Sequence, residues 1–162
     1  MIDKLEREKK GTMFIRLKRM RIIQNSIAKL NKTKELLQTE ERTLVFTGTI
    51  KIADSLGIPS YHSKSSEKQL FEDFANGIGN KLAVIKIGNT GVTYKPLDRV
   101  IINYFSSSAE DLTQRVNRCM SLEYNNSEKL AKITIISSNE SVEEKWLSKA
   151  LEFFNPEKIK YL

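Results

Sequence analysis

At 162 residues, 40% apolar and 29% charged, the chain has the make-up of a single globular domain with its own core. No apolar run approaches the roughly 18 residues of a membrane helix, and the charged N-terminus is unlike a signal peptide. One cysteine and one histidine exclude an internal disulfide and a His/Cys zinc cluster, and the lone Cys119 suits a reducing cytoplasm.

The net charge of +7 is unevenly placed. Residues 1–42 hold 12 Lys/Arg against 6 Asp/Glu, whereas residues 43–162 are nearly balanced at 15 against 14. Residues 2–39 read as helical, with a break expected near Gly11 and Thr12. Phe14, Leu17, Met20, Ile23, Ile27 and Leu30 recur at steps of three and four, which makes an amphipathic stripe. Arg16, Lys18, Arg19 and Arg21 surround it. Such a helix can be a phosphate-binding face or a solvated one. The stripe has to pack on this domain or on a partner.

Thr43 to Phe46 reads as a short buried strand, followed by Thr47-Gly48-Thr49 and a helix over Ile50–Leu56. A small hydroxyl-bearing turn at a helix N-terminus can offer N–H groups to an anion. An N-cap role for Thr47 or Thr49 is the simpler account of the same residues. Gly57-Ile58-Pro59 is a turn, and Ser60 to His62 is extended. Ser65 or Ser66 caps a helix that buries Leu70, Phe71 and Phe74 and ends at Asn76-Gly77. A lone histidine at a strand end, such as His62, is usually a hydrogen-bonded structural group.

Leu82–Ile87, Val100–Tyr104 and Lys132–Ser137 are further buried strands, the last after a polar insertion at Glu123–Lys129. A final helix starts near Ser141, with Glu143 and Glu144 in its first turn. It presents Trp146, Leu147, Ala150, Leu151 and Phe154, and stops at Asn155-Pro156. The strands are continuous apolar runs alternating with helices, so the fold class is α/β with a mostly parallel sheet covered on both faces. The N-terminal basic segment, 1–40, packs on or links to a lobe spanning 41–162.

The stretch Leu82–Arg118 carries the sharpest chemistry. Gln114, Arg115 and Arg118 stand in one short helical run, and guanidinium groups bind phosphate bidentately. Gly88 and Gly91 let a backbone approach a ligand closely. On spacing alone, the arginines are equally well explained by salt bridges to Glu110, Asp111 or Glu123.

The order of these pieces resembles the C-terminal, RecA-like lobe of superfamily 2 helicases and translocases, over about Arg42–Ser137. TLVFTGT at Thr43–Thr49 is similar to the fourth motif of that family. YHSKSSEKQLFEDFANG at Tyr61–Gly77 is similar to its following strand and helix. IGNTGVTYKPLDRVI at Ile87–Ile101 is similar to the fifth motif, and QRVNR at Gln114–Arg118 to the sixth. The resemblance implies a RecA-like three-layer fold with a central mostly parallel sheet, preceded by the long basic helix. It also implies a lobe that brings arginines to ATP across a cleft and holds a nucleic-acid backbone. Carried over, Gln114, Arg115 and Arg118 face the nucleotide, with Arg115 and Arg118 catalytic. Gly88 and Gly91 join the nucleotide site to the nucleic-acid groove. Thr47, Gly48, Thr49, Asn89 and Thr90 contact DNA or RNA phosphates.

The chain departs from the family pattern in several places. Asn117 stands for a glycine of the sixth motif and Ser121 for a further arginine. Thr93 replaces a frequent acid of the fifth motif, as in translocases related to chromatin remodellers. No Gly-x-x-x-x-Gly-Lys-Ser/Thr loop and no Asp-Glu box occur in the 162 residues. ATP and Mg2+ are therefore expected only in a complete two-lobe protein, with the first lobe supplied in cis or in trans. No metal site, no membrane partner and no turnover by this chain alone are expected. An ATP-independent module that keeps the fold and binds nucleic acid or protein is the second reading. A compact lobe with this insertion would suit a phage or mobile-element genome.

Overall fold

A computed structural model describes residues 2–65, 68–85, 94–119 and 132–161, except for the side chains of residues 2–11 and 117–119. The described elements are α1 (Ile2–Gln24), α2 (Ile27–Leu36), β1 (Thr43–Thr47), α3 (Ile50–Ser55), β2 (Ser60–Tyr61) and α4 (Lys68–Ala75). They continue with β3 (Lys81–Ile85), β4 (Arg99–Ile102), α5 (Ala109–Cys119), β5 (Lys132–Ile135), α6 (Val142–Leu151) and a short 3-10 turn at Pro156–Lys158. The five strands lie in the order β2-β3-β1-β4-β5, and every pairing is parallel.

Strand side chains alternate between the two faces of the sheet. Leu44, Phe46, Leu82, Val84, Val100 and Ile102 face α4, α5 and α6, where they meet Phe71, Phe74, Leu112, Val116 and Ala150. Val45, Ala83 and Ile101 face the other way and pack with Leu37, Ala53 and Leu56, near α2 and α3. Both faces are covered, which is why the strands read as unbroken apolar runs. Truncating a fully buried residue such as Ile101 to alanine should cost about 2–5 kcal/mol.

Local chemistry sets the element ends. The Thr49 hydroxyl accepts from Ile52 N–H at 3.3 Å and caps α3. Ser141 does the same for α6 with Glu143 N–H at 3.1 Å, and Glu143 and Glu144 lie in the first turn. Gly77 closes α4 with φ of 93°, in the left-handed region that favours glycine.

The N-terminal break lies elsewhere than expected. Helix α1 runs through Gly11 and ends at Gln24, and α2 starts at Ile27. A single helical glycine costs only about 1 kcal/mol relative to alanine. At Asn25 the last turn tightens: Arg21 O accepts both the Asn25 backbone N–H at 3.0 Å and its side-chain amide at 2.7 Å, and Ser26 N–H turns to Ile23 O at 3.2 Å. The expected stripe divides at the same place. Leu30 packs into the second core cluster, whereas Phe14, Leu17 and Ile27 are exposed.

A buried polar network fastens α2 to the sheet. Lys29 Nζ donates to both Glu143 oxygens, at 2.9 and 3.0 Å, and both residues are buried. The Asn103 amide, just past β4, donates to Thr33 Oγ1 at 2.7 Å and to Lys29 O at 3.3 Å. Burial lowers the Lys29 pKa from its ordinary value, and the Glu143 carboxylate opposes that shift. At the opposite end of the strands, Arg42 donates to the carbonyls of Phe74, Lys95 and Pro96. Arg99 lies 2.6 Å from Glu41.

Candidate functional site

The carboxyl ends of parallel strands are where open α/β sheets place ligand sites. Here that edge is formed by the turn after β1, the segment after β4 and helix α5.

Thr47 ends β1 with its hydroxyl on Val84 O at 3.5 Å, and it is buried. Its hydroxyl is thus turned into the sheet. Gly48 is required for space: a β-carbon there would stand 2.6 Å from Cδ2 and 2.8 Å from Cγ of Tyr104. Thr49 is an N-cap, as its residue type suggested, and it does a second job. Its hydroxyl donates to Asn25 Oδ1 at 3.0 Å, tying the turn to the break between α1 and α2.

Helix α5 starts with the Ser108 hydroxyl accepting from Asp111 N–H at 3.1 Å. Arg115 lies on its inner face and is only 5% exposed. One guanidinium nitrogen donates to Tyr104 O at 3.0 Å and the other to Asp111 Oδ2 at 2.8 Å. The same group sits 5.6 Å from the Phe46 ring centroid and 5.9 Å from that of Tyr104. Its Nε is buried without a partner among the described residues. Tyr104 therefore joins two sequence segments, with its ring over Gly48 and its carbonyl on Arg115.

Gln114 is exposed on α5. Arg118 lies on the same helix one turn beyond Gln114, and its side chain falls outside the described set. Gly88, Asn89, Thr90 and Gly91 also lie outside the described residues, as do Thr93, Ser121 and the insertion at Glu123–Lys129. The structure thus brings Thr47, Gly48, Thr49 and Arg115 to one edge, with Gln114 on the outer side of α5.

His62 is part of a local turn. Its Nδ1 accepts from Lys64 N–H at 3.2 Å, and Nε2 lies 3.7 Å from Asp54 Oδ1. Among the described residues no three His, Cys, Asp or Glu side chains are grouped to hold a metal ion. None of the described helices is long and apolar enough to cross a membrane.

Sequence reasoning missed Tyr104, Asn103, Lys29 and Glu143. The signal for Asn103 was a polar residue closing the apolar run Val100–Ile102. Lys29 and Glu143 are 114 positions apart, and no local pattern pairs them.

The profile described as the helicase conserved C-terminal domain matches residues 28–123. No curated protein sequence matches the chain significantly. Among solved structures, the C-terminal domain of the DEAD-box protein Dbp5 is similar, with a TM-score of 0.62 at 17% identity over 80% of each chain. The E. coli DEAD-box protein SrmB gives a TM-score of 0.58 at 17% identity, over 78% of this chain and 79% of that one. The C-terminal part of the Fun30 ATPase domain gives 0.57 at 22% identity, over 75% of this chain and 44% of that one. At these identities the likeness is one of fold, and that fold is the five-stranded parallel sheet with helices on both faces.

Proposed function

Because the chain belongs to the helicase conserved C-terminal domain family, we propose that it serves as the second motor lobe of an ATP-dependent nucleic-acid helicase or translocase. The observation that carries this reading is the Gly48–Tyr104–Arg115 linkage at the carboxyl edge of the sheet. It couples a turn suited to a nucleic-acid backbone to the helix that bears the arginines. A shift of α5 toward a nucleotide would be felt through Tyr104 at the turn after β1.

In this reading Gln114 and Arg118 face the γ-phosphate, where a fixed cation stabilises charge that develops in phosphoryl transfer. Arg115 acts chiefly as a positioning residue, because two of its three nitrogens are engaged inside the lobe. Gly88 and Gly91 link the two ligands. The backbone N–H groups of Gly48 and Thr49, with Asn89 and Thr90, hold phosphates without reading sequence. Thr47 contributes through its place in the turn, since its hydroxyl points into the sheet. ATP and Mg2+ need a first lobe, which would bring the phosphate-binding loop and the metal ligands; when bound, the magnesium ion neutralises phosphate charge.

One observation favours a second reading. The internal engagement of Arg115 would also suit an ATP-independent binding module that kept the fold. The two readings separate when a first RecA-like lobe carrying a Gly-x-x-x-x-Gly-Lys-Thr loop is fused ahead of this chain. For a motor lobe, nucleic-acid-stimulated ATPase appears, Arg118→Ala abolishes it, and Arg115→Lys lowers both the rate and the melting temperature. For a binding module, no ATPase appears and Arg118→Ala leaves nucleic-acid binding intact.

A further inference from the structure

We propose that the last four turns of α1, from Thr12 to Gln24, extend the nucleic-acid track beyond the turn after β1, with Arg16, Lys18, Arg19 and Arg21 on backbone phosphates. The inference rests on the reading of Thr47–Thr49 as a backbone-contacting turn.

Charge is the first ground. From Thr12 to Lys34 the sequence holds seven Lys/Arg and no Asp or Glu. Lys29 is consumed by Glu143, and Lys32 pairs with Glu35 at 2.7 Å. Arg16, Lys18, Arg19 and Arg21 are exposed, and no carboxylate among the described residues pairs with them. Arg16 and Arg19 share one side of the helix, and Lys18 and Arg21 another. Four cations within six residues, spread around the helix, create a positive field that a polyanion satisfies better than a single carboxylate does.

Placement is the second ground. Asn25 bonds Arg21 O through its amide nitrogen and accepts the Thr49 hydroxyl at its oxygen, at 2.7 and 3.0 Å. The last turn of α1 is thereby pinned against the turn that the motor reading assigns to the nucleic acid. A strand leaving Thr49 meets Arg21 next. The stretch from Thr12 to Gln24 then offers roughly 20 Å of helix along its path. Phe14, 69% exposed among these cations, supplies a ring on which a base can stack. A protein partner with an acidic rim is the competing occupant, since Ile15 and Ile22 are exposed as well.

The test is fluorescence anisotropy of the full chain with labelled 20-nucleotide single- and double-stranded DNA across a potassium chloride series. Three variants are compared: Arg16/Lys18/Arg19/Arg21→Gln, Lys32→Gln and Thr49→Ala, each checked for folding by circular dichroism. The quadruple variant should bind at least ten-fold more weakly at low salt. Its salt slope should fall by about three to three and a half, given four contacts at roughly 0.7–0.9 per phosphate. Lys32→Gln should match the parent. An unchanged quadruple variant, with Thr49→Ala weakened, overturns the inference, keeps the reading of the turn and leaves the helix face to a protein. A weakened quadruple variant supports the helix as a contact whether or not Thr49→Ala is weakened, because the turn holds phosphate through the Gly48 and Thr49 N–H groups, which that change leaves in place. A parent that binds neither these DNAs nor RNAs of the same sequences overturns both.

Discussion

The ring of Tyr104 occupies the space that a side chain at residue 48 would need: a β-carbon on Gly48 would lie 2.6 Å from Cδ2. Alanine at 48 must therefore displace the ring and disturb the carbonyl that receives Arg115. Gly48→Ala should destabilise the fold by about 1–3 kcal/mol, the usual cost of overpacking. In a Tyr104→Ala background the same change should cost under about 0.5 kcal/mol, because contacting residues couple. Urea unfolding of the four proteins in this cycle measures it.

The Lys29–Glu143 pair gives a second prediction. Both groups are buried, and they join helices from opposite ends of the chain. Glu143→Gln leaves the Lys29 ammonium without its counter-charge and should cost about 3–5 kcal/mol. The double change Lys29→Met/Glu143→Leu removes both charges and should recover most of that loss. Thermal melts of the single and double variants decide it. A double variant as unstable as the single would mean that the network is needed as a polar unit.

Much of the fold was legible in the sequence because the sheet is buried on both faces. The apolar runs at Thr43–Phe46, Leu82–Ile87 and Val100–Tyr104 marked strands, which the structure places at Thr43–Thr47, Lys81–Ile85 and Arg99–Ile102, and Ser141 with Glu143 and Glu144 marked the start of α6. Boundaries set by tertiary contact were not legible. The Asn25 side chain at the break also accepts a hydroxyl from 24 positions away, at Thr49, which no local pattern foretells. Glu143 read as a first-turn residue of the last helix, and it does stand there, but its carboxylate is spent on Lys29. In the candidate site, residue types pointed to the carboxyl edge of the sheet, where Thr47, Gly48, Thr49 and Arg115 stand. They could not tell an arginine that faces out from one folded inward. Arg115 is of the second kind, because Asp111 one turn earlier and Tyr104 O hold it.

Acid should loosen the lower end of the sheet. Desolvation is the largest single influence on the Glu41 carboxyl and works upward. Hydrogen bonds from Lys132 and Thr39, and the charges of Arg99 and Lys132, outweigh it and hold the pKa below the ordinary 4.5. A depressed folded-state value means that the contribution is fully present above pH 4.5 and is lost as pH falls through that lower value. Glu41→Gln should therefore be less stable than the parent near neutrality, by about 1 kcal/mol for a partly exposed cluster. The gap should close at strongly acidic pH. Denaturant midpoints of both proteins across the acid range check the sign.

The most direct measurement of the central claim is ATP hydrolysis by this chain, alone and fused behind a first lobe, each with and without single- and double-stranded DNA and RNA. The chain alone should show negligible turnover under every condition. The fusion should show nucleic-acid-stimulated turnover that disappears with Arg118→Ala. Stimulated hydrolysis by the 162 residues alone would contradict that claim, because the phosphate-binding machinery assigned to another lobe would then lie within this chain or between two copies of it.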